Sequence, residues 1–146
     1  MIETLQILFK RDLLKLKTEI ESYQSEENIW KISQHISNSA GNLCLHLIGN
    51  LNHFIGAITS KTGYIRNRDA EFSLKDVPRT QLTKMIDNTI LVIENTLNNL
   101  NEDDLKKEYP LVVFEGKMST EFFFTHLTAH LSYHLGQINY HRRLLE

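Results

Sequence analysis

The feature that most constrains this chain is a stripe of apolar residues, Leu82, Ile86, Ile90, Ile93, Leu97 and Leu100, spaced by 4, 4, 3, 4 and 3. A helix of 3.6 residues per turn gathers all six on one side, whereas a strand would scatter them over both faces. Ile2, Leu5, Leu8, Phe9, Leu13, Leu16, Ile20 and Tyr23 repeat the pattern and predict a first helix over 2–23. Only two prolines, Pro78 and Pro110, interrupt the 146 residues, so helices can run long. The patterns together predict one all-α domain over 1–146, a four-helix bundle without a sheet.

The second predicted helix spans 40–59, after the N-cap candidates Ser37, Asn38 and Ser39. It is apolar on most sides (Leu43, Leu45, Leu47, Ile48, Leu51, Phe54, Ile55, Ile58) and should be largely buried. Gly41, Gly49 and Gly56 each cost up to ~1 kcal/mol in a helix interior, which points to a neighbouring helix approaching closely. Residues 24–38 read as a polar connection anchored by Trp30 and Ile32. Residues 60–77, with Gly63, Arg66, Arg68, Asp69 and Glu71, read as a longer one. Pro78 falls at the first helical position of the third helix. In the last connection, 101–117, Leu111 to Phe114 suggest a short extended piece. Ser119 or Thr120 caps the fourth helix, which runs to about Leu144. With two connections this long, a simple up-down-up-down order is not required.

A net charge of −2 and a pI near 6.4 give no electrostatic reason to expect nucleic acid as a partner. The lone cysteine, Cys44, suits a reducing compartment. The opening MIETLQILFKRDLLKLK mixes charged and apolar residues too early for a signal peptide. No stretch approaches the ~18 apolar residues of a membrane span. The expectation is a cytoplasmic protein with no membrane partner.

Chemistry enters with the histidines. The fourth helix carries His126, His130 and His134 at i, i+4 and i+8, on one face. Two imidazoles one turn apart can present nitrogens to one cation. His126 and His134 lie ~12 Å apart along the axis, so only one adjacent pair can share an ion. Gln137, seven residues beyond His130, can line the same cavity or hold a ligand by a hydrogen bond. A third ligand can come from His46 or His53 on the second helix, but one ion takes only one of them. Cys44 sits roughly opposite His46 on that helix and is a poor co-ligand.

The segments LCLHLIGNLNHFIGA (43–57), GYIRNRDAEFS (63–73) and HLSYHLGQI (130–138) resemble the DinB/YfiT-like superfamily of four-helix-bundle metalloproteins, in its branch of short DinB-like proteins. The resemblance covers nearly the whole chain. It implies an up-down-down-up bundle with long connections, a homodimer, and a divalent metal ion, zinc or nickel, held by His46, His130 and His134. The family often has a histidine just before the last ligand and an arginine just after it. Here Tyr133 and Leu135 stand there, which affects substrate contacts rather than the metal site.

Bland readings stand beside these. His126 reads as a cavity neighbour, His53 as core or a supporting residue, and His35 and His141 as solvent-exposed. Cys44 reads as a small buried hydrophobe and Phe122-Phe123-Phe124 as core. Arg66, Arg68 and Glu71 read first as a loop ion-pair network; the rival reading has Arg66, Arg68 and His126 touching an anionic substrate. The function expected from the resemblance is an S-transferase, in which the metal activates a small bacillithiol-like thiol against an electrophile and Gln137 serves as an orienting group. Two alternatives are a hydrolase using metal-bound water and a stress-related, non-enzymatic metal-binding bundle.

Overall fold

The structure, a computed structural model, describes residues 1–33 and 35–146 and is helical, with no strand among the described residues. Helix α1 spans Ile2–Glu21, followed by a 3₁₀ turn, Glu26–Trp30. Helix α2 spans Ala40–Leu51 and continues without a break as a π-helical segment, Asn52–Thr59. The remaining helices are α3 (Arg68–Ser73), α4 (Arg79–Asn98), α5 (Glu102–Lys106) and α6 (Thr120–Leu145). Gln34, in the expected 24–38 connection, lies outside the described residues.

The apolar stripes bury as their periodicity requires. Leu5, Phe9, Leu13, Leu16 and Ile20 of α1 meet Leu82, Ile86, Ile90, Ile93 and Leu97 of α4 in one core. Polar pairs along the seam fix its direction. Gln6–Asn98, Lys10–Glu94 and Lys17–Asp87 join α1 to α4 with rising numbers on one helix and falling numbers on the other, so the two run antiparallel. Asn52 and Ser60 reach Thr89 and Thr96, so the second half of the α2 rod runs parallel to α4. Glu19 holds Asn139 and Arg142, and Tyr23 holds His141, which ties α1 to α6.

Several expectations change in detail. Helix two covers the expected span, but its last two turns are π-helical. There the Thr59 hydroxyl and the Tyr109 hydroxyl both donate to the Phe54 carbonyl, giving that looser turn partners outside the regular ladder. Pro78 is the N-cap of α4 rather than its first helical residue. The glycines make room for side chains more than for backbones. A Cβ on Gly41 would meet the Trp30 indole at 2.6 Å, and one on Gly49 would strike the Glu71 carboxyl group. Ile32 is exposed and anchors nothing. Phe122 is also exposed, since the helical period turns it away while Phe123 and Phe124 bury. In place of the extended piece at 111–114, a lone antiparallel bridge pairs Glu108 with Ser119. Ser119 caps α6, its side chain accepting from the Phe122 N–H. No helix among the described residues is long and apolar enough to cross a membrane.

His141 is the clearest correction. The expectation was an exposed residue; it is 5% exposed. Its Nε2 lies 2.8 Å from the Lys31 carbonyl and its Nδ1 lies 2.6 Å from the Tyr23 hydroxyl. A carbonyl only accepts, so Nε2–H donates to Lys31 and Nδ1 accepts from Tyr23. Both ring nitrogens are used, and His141 pins the end of α6 to the segment after α1.

Candidate metal centre

Helix α2 brings His46, and α6 brings His130 and His134, to one place. His46 Nε2 lies 3.2 Å from His130 Nε2, and His134 Nε2 also lies 3.2 Å from His130 Nε2. One ligand nitrogen from each of the three falls within 4.8 Å of the others. A tetrahedral ion with bonds of ~2.0–2.1 Å spaces its nitrogens by about 3.3 Å. Two of the three separations match that spacing and the third lies within 4.8 Å, so the trio can hold a metal.

The far sides of the rings explain why the lone pairs face inward. His46 Nδ1 lies 3.1 Å from Glu71 Oε1. A carboxylate only accepts, so Nδ1 carries the proton and Nε2 is left with a free pair. Arg66 Nη2 comes within 3.4 Å of the same Nδ1, but both are donors, so the carboxylate decides the tautomer. His134 Nδ1 lies 2.7 Å from Gln137 Oε1 and is fixed the same way. His130 Nδ1 is buried without a partner.

Glu71 is the residue the sequence reading undervalued. It is 5% exposed and held by a two-pronged fork from Arg66, with Nε to Oε2 and Nη2 to Oε1 both at 2.8 Å. Burial pushes its carboxyl group up, but the bonds from Arg66 and His46 outweigh that and hold it below the usual range. Local chemistry places it there. Asn67 caps α3 by accepting from the Ala70 N–H. Asn42, at the start of α2, donates to the carbonyls of Glu71 and Leu74 and ties α3 against α2.

Two of the ligand histidines, His130 and His134, resist protonation. His130 is pushed down to about 4, by burial first and then by His134, His46, His126 and Arg66. His134 is pushed down by burial and by His46, with Gln137 opposing. Neutral imidazole is the form that binds a cation.

The three ligands line a cavity of about 490 Å³ with Asn50, Phe54, Arg68 and His126. His126 is an exposed rim residue whose ring lies 4.8 Å from that of Phe114. Arg68 is exposed over the Phe72 ring. Arg66 is committed to Glu71, so the ion-pair reading holds for Arg66 and Glu71, whereas Arg68 stands outside the network. Gln137 lines a neighbouring cavity with Tyr133 and Tyr140, and it serves His134, not His130. His53 is partly buried against Phe54 and takes no part in the trio. Cys44 is fully buried, and burial pushes its thiol up to about 12. Asn50 closes the His-Leu-x-Gly-Asn pattern on the second helix but was given no role from the sequence, though its spacing of four from His46 puts it on the same face one turn on.

A family model described as a protein of unknown function (DUF1572) matches residues 6–146. No curated protein matches the chain.

Proposed function

The chain belongs to the DUF1572 family, and we propose that it is a metal-dependent S-transferase acting on a low-molecular-weight, bacillithiol-like thiol. The observation that carries the reading is the meeting of three imidazole Nε2 atoms, two of them with tautomers set by Glu71 and Gln137. A divalent cation held by His46, His130 and His134, zinc or nickel by the preference of imidazole donors, would supply Lewis acidity that favours thiolate over thiol.

The residues around the ligands favour a thiol over water as the nucleophile. The nearby carboxylate, Glu71, is locked by Arg66 and His46 and is no free general base. No carboxylate lines the cavity itself among the described residues. Arg68 adds a positive charge at the mouth, which attracts an anionic cosubstrate. His126 and Arg68 border the space where such a molecule would lie. The transfer forms a carbon–sulfur bond as the electrophile's leaving group departs with its electron pair, and the thiol proton goes to solvent.

The same reading takes the four long helices as a DinB/YfiT-like up-down-down-up bundle. Support comes from α4 antiparallel to α1 and the α2 rod parallel to α4. It also takes the protein as a homodimer, which sedimentation would test.

The test has two steps. Elemental analysis of protein purified without added metal should find about one equivalent of zinc or nickel. Conjugation of small thiols to a chlorinated nitroarene should then depend on that metal and vanish in His130→Ala. Loaded protein that turns over no cellular thiol would remove the transferase reading, and chelator-sensitive ester or amide cleavage would put a hydrolase in its place.

A further inference from the structure

We propose that Asn50 is the positioning residue of the third ligand: in the metal-loaded protein its Oδ1 accepts the Nδ1–H of His130. The inference rests on the three-histidine reading above. When Nε2 of a neutral imidazole faces a cation, the ring proton sits on Nδ1 and needs an acceptor. His46 has Glu71, and His134 has Gln137. His130 Nδ1 is buried with no partner.

The complementary orphan is Asn50 Oδ1, also buried and without a partner. Five buried side-chain atoms among the described residues lack a partner, and only these two belong to residues that line the ligand cavity. One is a donor in the metal-binding tautomer, and the other is an acceptor. A lone buried acceptor and a lone buried donor are each costly, and pairing removes both costs.

The choice of residue supports the assignment. Asn50 is 7% exposed on a helix whose other buried positions are mostly apolar. Asparagine is a poor helix former, and its amide is expensive to bury unpaired. Leucine would fill such a position at less cost unless a polar partner were required.

The experiment compares wild type, Asn50→Leu and Asn50→Asp by three readouts: zinc affinity by chelator competition, thermal midpoint of the metal-free protein, and exchange protection of the His130 Nδ1–H by NMR of the zinc form. The leucine variant should bind zinc ~10–100-fold more weakly, with a metal-free midpoint equal to or above wild type and no protected Nδ1–H. The aspartate variant, which keeps an acceptor, should bind within a few-fold of wild type. A folded leucine variant that binds zinc like wild type, or an unprotected Nδ1–H in the wild-type zinc form, would overturn the role of Asn50 and leave the metal centre standing. Wild type that binds no zinc or nickel would overturn the metal centre itself, and this inference with it. If the leucine variant fails to fold, Asn50→Ala against Asn50→Asp reads the same contrast.

Discussion

Replacing Gly49 with alanine sets two effects of opposite sign against each other. On helix propensity alone, glycine to alanine inside a helix stabilises by about 1 kcal/mol. The surroundings argue the other way. The added methyl group would sit 2.6 Å from Glu71 Cδ, and closer still to Oε2. A flexible glutamate on a surface would swing aside at little cost, but this one is buried and forked to Arg66 while bonded to His46. Overpacking costs about 1–3 kcal/mol, and stripping a buried charge of its partner costs about 3–5 kcal/mol. Arg66 is only partly buried, so the lower end of the second range applies. After the gain in propensity, Gly49→Ala should destabilise by about 3–5 kcal/mol, measured by urea unfolding at pH 7. Zinc affinity should fall in parallel, because His46 loses the bond that orients it. A Gly49→Ala protein that is more stable than wild type by about 1 kcal/mol, with unchanged zinc affinity, would refute the claim that a locked Glu71 supports the site.

Four more outcomes follow from the geometry. His130 titrates at about 4 in the fold against 6.5 ordinarily, so the unfolded chain binds a proton the folded one refuses. Stability of the metal-free protein is therefore complete above 6.5 and falls as pH drops toward 4, by about 1–2 kcal/mol after discounting for solvent screening, in urea titrations at pH 7 and 4.5. Gln137→Leu should weaken zinc binding by about 10-fold in chelator competition with little change in thermal midpoint, because only the His134 Nδ1 acceptor is lost. His141→Phe should destabilise by about 2–4 kcal/mol in urea while leaving zinc affinity unchanged, since it strips the Lys31 carbonyl of its donor and leaves the Tyr23 hydroxyl only a long 3.4 Å bond to the Ile138 carbonyl. Removing metal with a chelator should leave the circular dichroism spectrum helical, and zinc at 100 times its Kd should add about 2.7 kcal/mol of stability; loss of helix on chelation would point to a structural metal instead.

What the sequence made legible was periodic. Leu82 to Leu97, Leu5 to Ile20 and the i, i+4 histidines follow one rule, that residues three or four apart share a face, and the fold obeys it. What it hid was set by contacts distant in the chain. His141 looks like a polar residue near a helix end until Tyr23 and Lys31, more than 100 positions earlier, take both its nitrogens. Gln137 holds one of the histidines by a hydrogen bond, as its position suggested, but which one was hidden: the seven-residue step aligns it with His130, and its side chain reaches His134 three residues away. Glu71 sat among the charges of a connection, and no local pattern distinguishes an exposed loop carboxylate from one buried beneath a glycine on another helix. The pairing of Gly49 with Glu71 is a contact between a missing side chain and a long one, which periodicity cannot register.

The supporting contacts also bear on what the site can be. A metal that merely staples a fold needs little preparation, because the ion itself organises its ligands as it binds. Here the chain's own side chains supply that preparation. Two tautomers are set, the Arg66–Glu71 fork is closed, and the two ligand-bearing helices are fixed by an apolar core that the histidines do not build. Burying Glu71 and Arg66 together is weak evidence for stability, since a well-packed apolar pair often does as well. A carboxylate retained there against that cost is better explained by its effect on His46. It raises the basicity of Nε2 and holds the ring on target, which matters when the remaining coordination positions must stay open to an incoming molecule.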